Sequence, residues 1–435
     1  MTQKFKSPFQ SRIVTGNAKT AKDNRVNPAE EDMEQNDGTI AETDQPKSIE
    51  QRIKEAKNED VNMLITEISG INDQIIRSIH ASALAKKFKI TLKMVSDKVE
   101  ATRQLNNPDP VRQMGAVFVN LIDICTSDDG GIVYLMLNDK ESQIGDPFLS
   151  EESEHYAEDK IFIPPAKDQI DFLLPRISEV MKWYQAKQDS TLFEDVYHYL
   201  ERFSYLTLQH KIILVSSIFA SYIQDHPDIF YLPILLLYAP PARGKTRTVK
   251  AVTYASYRGI FQEQIREPVI IRLTEYFNAT LAFDITDIWG QAKKRDAINT
   301  LLWRYEKGMP VHRVLNLDKG PYKDLAKFTV FGPTIIATNE AIRNVLDTRC
   351  IPIQMTNMPG SYRDAHPELA LELKERLTAW RAKMMNRSLP DVDQVKGVTG
   401  RLWDISKPLL QICKMEAPQT SGYIEAELQE IAKIR

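Results

Sequence analysis

The feature of the sequence that most constrains its fold is an unbroken apolar run, Ile234–Tyr238, with small and polar residues directly after it. A short continuous apolar run is typical of a strand that is buried on both faces of a parallel sheet. The residues after the small-residue loop, 247–257, have the composition of a helix. A strand, a loop and a helix in this order predict an α/β fold with a parallel sheet.

The loop between this strand and this helix has the spacing G-x-x-x-x-G-K-[ST] of a Walker A motif, with alanine at the first glycine position. In such a loop the backbone amides surround the nucleotide phosphates, the lysine neutralises them and the hydroxyl coordinates Mg²⁺. The sequence therefore predicts ATP and Mg²⁺ as ligands, and alanine is small enough to let phosphate approach the backbone. The residues expected to bind the nucleotide are Ala239, Pro240, Pro241, Ala242, Arg243, Gly244, Lys245 and Thr246.

A second apolar run, 279–283, ends in Asp284. A carboxylate at the end of a strand, about 40 residues after the first loop, fits the Walker B position, so we expect Asp284 and Thr246 to hold Mg²⁺. Many ATPases of this kind have a glutamate directly after this aspartate to polarise the attacking water, but this chain has Ile285. Asp287, or alternatively Glu275, is predicted to act as the base. Without either, the site would bind ATP and hydrolyse it poorly.

A third apolar run, 332–338, ends in Asn339, and Arg349 follows just before a further apolar run. We expect Asn339 to orient the attacking water, although asparagine is also an ordinary turn residue. Arg349 is predicted to reach the nucleotide of a neighbouring subunit and to stabilise charge on the transferring phosphoryl group, with Arg343 as the alternative. An ordinary surface ion pair is the other interpretation of Arg349.

The order of Lys245, Thr246, Asp284, Asn339 and Arg349 resembles that of AAA+ P-loop ATPases. It is most similar to the helicase modules of phage- and plasmid-type replication proteins, which are related to superfamily 3 helicases and primase-helicases. The resemblance implies a P-loop NTPase (AAA+-like) core with a helical C-terminal lid. It also implies a homo-oligomeric ring, hexameric by preference, that uses ATP hydrolysis to move along single-stranded DNA in its central pore during replication of a mobile element.

Two other functions are compatible with the same residues. An AAA+ regulator or loader would use ATP as an assembly switch, which Ile285 favours. A DNA-binding protein with a structural nucleotide site would not be an enzyme at all. Turnover of ATP that DNA stimulates separates the motor from both alternatives.

In helicases of this kind a β-hairpin between the second and third runs projects into the pore. Residues 311–316 and 322–327, separated by the turn sequence 317–321, are predicted to form it. Lys319 at the tip, with Arg313 and Lys323 beside it, would contact DNA phosphates. A solvent-facing hairpin with incidental lysines is the alternative.

The first third of the chain is less informative. Residues 1–60 are polar and without period, which predicts a disordered tail. Within the helical region 61–107, residues 83–99 predict two short helices joined by a turn at 89–91, a possible helix-turn-helix. Its second helix would present Lys93 and Lys98 to DNA, whereas a plain helical packing unit is the alternative.

The remaining segments complete the predicted organisation. Residues 108–188 are expected to form a small β-containing region with strands at 116–122 and 132–137, and 189–225 a helical lead-in. Residues 226–358 are the predicted P-loop ATPase core. The apolar spacing in 359–435 predicts a helical lid over the nucleotide.

Composition sets limits on partners and location. With 56 basic and 59 acidic residues the net charge is −3, so any contact with DNA requires a local basic patch. The three cysteines are far apart and fit neither a disulfide framework nor a zinc site, which favours a reducing cytoplasm. No apolar run has the roughly 18 residues that a membrane helix needs, and the chain starts without the apolar core of an export signal.

Overall fold

The computed structural model describes residues 48–71, 73–106, 110–138, 148–157, 160–186, 189–241, 243–285, 297–315, 320, 323–339, 347–356 and 360–435. The α-helices among these residues are α1 Ile49–Glu55, α2 Val61–Ser69, α3 Gln74–Phe88, α4 Leu92–Asn106, α5 Ile177–Gln185, α6 Leu192–Glu201, α7 Leu208–Tyr222, α8 Lys245–Ala255, α9 Glu267–Phe277, α10 Ile298–Trp303, α11 Leu371–Met384, α12 Gly400–Glu416 and α13 Ser421–Ile434. The β-strands are β1 Val111–Met114, β2 Leu121–Thr126, β3 Ile132–Asn138, β4 Phe148–Glu152, β5 His155–Ala157, β6 Lys160–Ile163, β7 Ile234–Tyr238, β8 Ile260–Gln262, β9 Leu281–Asp284, β10 Pro310–Val314, β11 Leu325–Thr329, β12 Thr334–Thr338 and β13 Cys350–Gln354.

The chain divides into two compact units. The smaller one contains α1 to α4. Its core is formed by apolar side chains from all four helices: Ile53, Leu64, Ile65, Ile68, Ala81, Leu84, Ala85, Val95 and Val99. Asp73 caps α3, because its side chain accepts hydrogen bonds from the amides of Ile75 and Ile76. The larger unit takes in residues 112–156 and 161–435.

A five-stranded sheet in the order β13-β7-β12-β9-β8 forms the centre of the larger unit. The pairings that build it are all parallel. Every residue of β12 and four of the five residues of β7 are buried, as is usual for the inner strands of a parallel sheet. This burial explains the unbroken apolar runs of the sequence, and the predicted α/β class with a parallel sheet is confirmed.

Three smaller sheets accompany the parallel one, and one of them has the strand order β1-β6-β5. Strands β2, β3 and β4 form a second, antiparallel sheet, and β10 pairs with β11 in an antiparallel hairpin. The predicted strand at 116–122 begins five residues later, at Leu121. Residues 116–118 have no regular secondary structure, and a turn follows in which Val119 is 80% exposed and Asn120 has a φ of 65°. The prediction of a strand at 116–119, which was based on apolar composition, is therefore wrong.

A buried polar network connects β2 to the segment that follows α8. Arg258 is 2% exposed, and its Nε donates to Asp123 Oδ1 at 2.7 Å. Its Nη1 donates to the carbonyls of Ala116 and Phe277. Arg381 on α11 donates to the carbonyl of Ile122 at 2.8 Å and to both carboxylate oxygens of Asp225. The predicted β-containing region is thus joined to the parallel sheet by buried charges.

Candidate functional site

The carboxyl edge of the parallel sheet contains a topological switch point. Strands β7 and β12 are neighbours, but the chain leaves β7 towards β8 at one edge of the sheet and leaves β12 towards β13 at the other. In open α/β sheets ligands bind in the crevice that such a divergence opens beyond the carboxyl ends of the strands. The loop with the phosphate-binding spacing follows β7 directly, so it lies at this crevice.

The loop ends in the geometry that its residue types favour. Gly244 has a φ of 78°, a left-handed conformation that glycine adopts without strain, and α8 begins at the next residue. Lys245 Nζ donates to the carbonyls of Ala239 and Pro240 at 2.6 and 2.9 Å. Burial lowers the pKa of Lys245, and the carboxylate of Asp284 partly opposes that shift. Ala242 lies outside the described residues, whereas Pro241 and Arg243 line the crevice.

The carboxyl ends of two further strands bring the other predicted residues to the same crevice. Asp284 is the last residue of β9, and its Oδ2 accepts a hydrogen bond from the Thr246 hydroxyl. Asn339 follows β12 directly and is exposed. Lys245, Thr246, Asp284 and Asn339 together line one cleft. A hydroxyl and a carboxylate in contact can share one Mg²⁺ ion whose other ligands are phosphate oxygens and water.

The residue after Asp284 cannot act on a substrate in this cleft. Ile285 is 2% exposed, and its amide donates to the carbonyl of Ala337 at 3.0 Å. Asp287, the predicted base, lies outside the described residues. The alternative, Glu275, accepts a hydrogen bond from the Thr329 amide at 3.0 Å and so is engaged with β11.

The cleft has a volume of about 730 Å³. Small-molecule sites in proteins usually enclose about 300–1,000 Å³, so it can hold a nucleotide. Its cationic lining residues are Arg243, Lys245, Arg247 and Lys250, and its carboxylates are Asp284 and Asp364. The excess of positive charge suits a polyphosphate.

Several residues of the cleft were missed by the sequence analysis. Arg247, Lys250 and Tyr254 lie at i, i+3 and i+7 on α8, a helical spacing that could have identified them as one face. Asp364 pairs with Arg247, with 3.3 Å between Nε and Oδ1. Asp364 and His366 belong to a loop without a motif, so nothing in the sequence indicated them. Within the described part of 359–435, it is this loop and not α11, α12 or α13 that lines the cleft.

Arg349 lies against its own chain. It ends a short 3₁₀-helix, Asp347–Arg349, and is 8% exposed. The guanidinium carbon is 5.0 Å from the centroid of the Tyr305 ring, a cation–π distance. Its action on a neighbouring subunit stays a prediction, and the alternative Arg343 lies outside the described residues.

The hairpin β10–β11 occupies the predicted place between the second and third runs. Its register pairs His312 with Lys327 and Val314 with Leu325. Arg313 forms an ion pair with Glu267 at the start of α9, so its charge is neutralised within the chain. Lys323 is exposed, and Lys319 lies outside the described residues. On α4 of the smaller unit, Lys93 and Lys98 are both exposed.

Neither a metal cluster nor a membrane helix is found in the part of the chain that the structure describes. The described residues contain no group of three or more histidine, cysteine, aspartate or glutamate side chains that could bind a metal ion. No helix in the described segments is long and apolar enough to cross a membrane. The three cysteines are buried, and none of them is part of a disulfide bond.

Comparison with known proteins gave a weak structural similarity. No protein-family model and no curated protein matches the sequence. Among solved structures the chain is similar to one described as "SCCmec type IV Cch - active helicase", with a TM-score of 0.31 and 13% sequence identity. The alignment covers 81% of this chain and 66% of that one, just under two thirds of its length. A TM-score of this size does not establish a common fold.

Proposed function

We propose that this chain is an ATP-binding and ATP-hydrolysing DNA motor with a P-loop NTPase core of AAA+ type. Its function would be that of a replicative-type DNA helicase of a mobile genetic element. The observation that carries the proposal is the meeting of Lys245, Thr246, Asp284 and Asn339 in one cleft at the switch point of a parallel sheet. These residues come from three separate strand ends and were each predicted for the same chemistry.

Each group of the cleft has a role in phosphoryl transfer. Lys245 and the amides at the start of α8 would neutralise the phosphates of ATP. Thr246 and Asp284 would hold Mg²⁺, which when bound neutralises charge on the β- and γ-phosphate oxygens. Asn339, exposed at the end of β12, would orient the attacking water. The cationic side chains of Arg247 and Lys250 extend the positive lining beyond the loop.

The contact with single-stranded DNA is proposed for the hairpin of a homo-oligomeric ring. Arg313 is already paired with Glu267, so Lys323 and Lys319 are the better candidates for phosphate contacts. A ring repeats one lysine in every subunit, which gives a basic pore despite the net charge of −3. Arg349 would complete the cleft of the adjacent subunit.

One observation favours a second function, an ATP-dependent assembly switch or loader. The side chain after Asp284 is the buried Ile285, so no carboxylate is available at the usual position of the base. If Asp287 does not act as the base, the cleft would bind ATP without hydrolysing it efficiently. ATP would then act only through the change in conformation or assembly that its binding favours.

A strand-displacement assay with forked DNA tests the proposal. The wild type is expected to separate the strands with ATP, whereas Lys245→Ala and Asp287→Ala are expected to be inactive. The exposed Lys396→Ala serves as a surface control and should behave as the wild type. ATP binding without turnover or strand separation in the wild type would instead support the switch.

A further inference from the structure

The smaller unit contains a helix pair that the proposed motor does not use. Helix α3 ends at Phe88, Lys89 has a left-handed φ of 53°, and α4 begins at Leu92. The amides of Lys89 and Ile90 both donate to the carbonyl of Ala85. This closed turn fixes the angle between the two helices, as a left-handed residue does after a helix end. The turn is three residues long, the length typical of a helix-turn-helix.

The core of the unit determines which face of α4 is free. Val95 and Val99 are buried against side chains of α2 and α3. On the opposite side Lys93, Asp97 and Glu100 are exposed. At about 100° per residue these three lie within about 60° of one another, whereas Lys98 points about 140° away from Lys93. The free face of α4 is thus a defined surface, and Lys98 is not part of it.

Positive charge is concentrated at the turn and the first turn of α4. Residues 74–96 contain no aspartate or glutamate. Lys86, Lys89 and Lys93 are exposed there, while Lys87 donates to the carbonyl of Lys54. The acids of α4, Asp97 and Glu100, follow only after this segment. This local basic surface stands out in a chain with a net charge of −3.

We propose that the α3–turn–α4 segment docks onto double-stranded DNA, with the first two turns of α4 in the major groove. The groove is about 12 Å wide and admits one α-helix, and a rigid helix pair presents its second helix in this way. Lys86 and Lys89 contact phosphates beside the groove, and Lys93 and Ser96 face the base edges. The site would tether the chain to a duplex without ATP, which goes beyond the proposed motor function.

Composition distinguishes a duplex from a single strand as the ligand. Sites for single-stranded nucleic acid combine positive charge with aromatic side chains on which bases stack. Residues 48–106 contain no tryptophan or tyrosine, and their one phenylalanine, Phe88, packs against the core of the unit. The surface offers charge and a helix but no stacking platform.

The test measures binding of the full-length protein to a labelled mixed-sequence duplex of about 30 base pairs and to one of its strands alone, without nucleotide. The variant Lys89→Ala/Lys93→Ala is expected to weaken duplex binding about tenfold at low salt. It should also lower the slope of log affinity against log salt by about 0.9, because Lys89 no longer neutralises a phosphate, whereas Lys93 faces the base edges. The matched control Lys167→Ala/Lys396→Ala removes two exposed lysines of the larger unit and should leave both values unchanged.

Unchanged duplex affinity in the α4 variant would overturn the proposal, and so would an equal loss in the control or an equal loss for the single strand. Circular dichroism melting of the variant checks that the unit is folded. Lys245→Ala separates this proposal from the motor. This variant is expected to lose ATP turnover and to keep the full affinity for the duplex. Full ATP turnover in the variant would contradict the proposed motor function but not the proposed binding to the duplex.

Discussion

At the scale of the residue, the cleft beyond β7, β9 and β12 illustrates what a sequence motif can and cannot predict. Residue type and spacing were enough to single out Lys245, Thr246 and Asp284, because the proposed phosphate and Mg²⁺ ligands need a cation, a hydroxyl and a carboxylate at fixed distances. Arg247 pairs with Asp364 at the wall of the cleft, and this pair joins segments more than 100 residues apart. A contact of that kind depends on tertiary packing, which leaves no local pattern.

Lys374 is a residue whose burial has a consequence that depends on pH. It lies on α11, is 3% exposed and donates to the carbonyl of Ser256 at 2.8 Å. Burial lowers its pKa from 10.5 to about 8, with the charge of Asp123 opposing and that of Arg258 adding to the shift. The native state therefore loses this proton at a lower pH than the unfolded chain does.

We expect the free energy of unfolding to rise with pH between about 8 and 10.5, because the unfolded chain binds more protons there. Lys374→Met should lack this rise, so that the difference between the two proteins changes by up to about 3 kcal/mol across the window. Urea unfolding at pH 7.5 to 10.5 measures it. The same pH dependence in both proteins would contradict the assignment.

At the scale of the element, α8 is held at both ends. Its first residues, Lys245 and Thr246, line the cleft. Near its last turn the hydroxyls of Tyr199 and Tyr222 donate to the carbonyls of Ala251 and Ala255. In the segment after the helix, Gly259 lies so close to the backbone that an added Cβ would be 1.8 Å from the carbonyl oxygen of Thr253. These contacts fix the helix that orients the loop.

The ion pair between Asp123 and Arg258 links β2 to the segment that follows α8. Asp123→Ala would leave the Arg258 guanidinium buried without its carboxylate, which costs about 3–5 kcal/mol in comparable pairs. We expect a cooperative urea transition displaced to lower concentration. Asp123→Asn keeps one acceptor and should lose less, and equal stability of wild type and Asp123→Ala would show that the pair contributes nothing.

A separate prediction concerns the contact of the hairpin β10–β11 with single-stranded DNA. Lys323→Ala is expected to lower the affinity for single-stranded DNA several-fold and to reduce its salt dependence, because one phosphate is no longer neutralised. Lys396→Ala, also an exposed lysine, is the control. Fluorescence anisotropy at two or more salt concentrations measures both. Equal effects of the two substitutions would remove the hairpin from the DNA site.

Elements were predicted well where burial on both faces leaves a continuous apolar run, as in β7 and β12. The prediction failed at 116–119, where an equally apolar segment has irregular backbone and leads into a turn with the left-handed Asn120. Residue composition does not distinguish these cases, since the deciding factor is the packing of the segment. The roles of Arg313 and Arg349 were likewise inferred without knowledge of their partners, Glu267 and Tyr305.

At the scale of the whole molecule, the predicted boundaries at 188, 225 and 358 all fall inside one compact unit. Domain boundaries are hard to place from sequence because charged residues such as Arg258 and Arg381 give no sign of being buried. Both are among the largest fully buried side chains of the described structure. Their acceptors include Asp123 and the carbonyls of Ala116 and Ile122. A domain boundary at 188 would place these acceptors and the two arginines in different domains.

Two truncations test this organisation. Removal of residues 1–110 is expected to leave a soluble protein with a cooperative thermal transition, because the larger unit has its own core. Removal of 1–188 should abolish that transition, since the buried Arg258 loses the carboxylate of Asp123 and the buried Arg381 loses the carbonyl of Ile122. Circular dichroism melting of both proteins is the measurement. A cooperative transition in the shorter protein at the same temperature would contradict the single unit.

The central claim is that the cleft formed by Lys245, Thr246, Asp284 and Asn339 hydrolyses ATP to act on DNA. The steady-state rate of ATP turnover, measured with and without single-stranded DNA, tests it most directly. We expect a Mg²⁺-dependent rate that DNA increases and that Lys245→Ala lowers by at least about 100-fold, with Lys396→Ala unchanged. A rate that does not change when DNA is added, or one that Lys245→Ala does not lower, would contradict the claim.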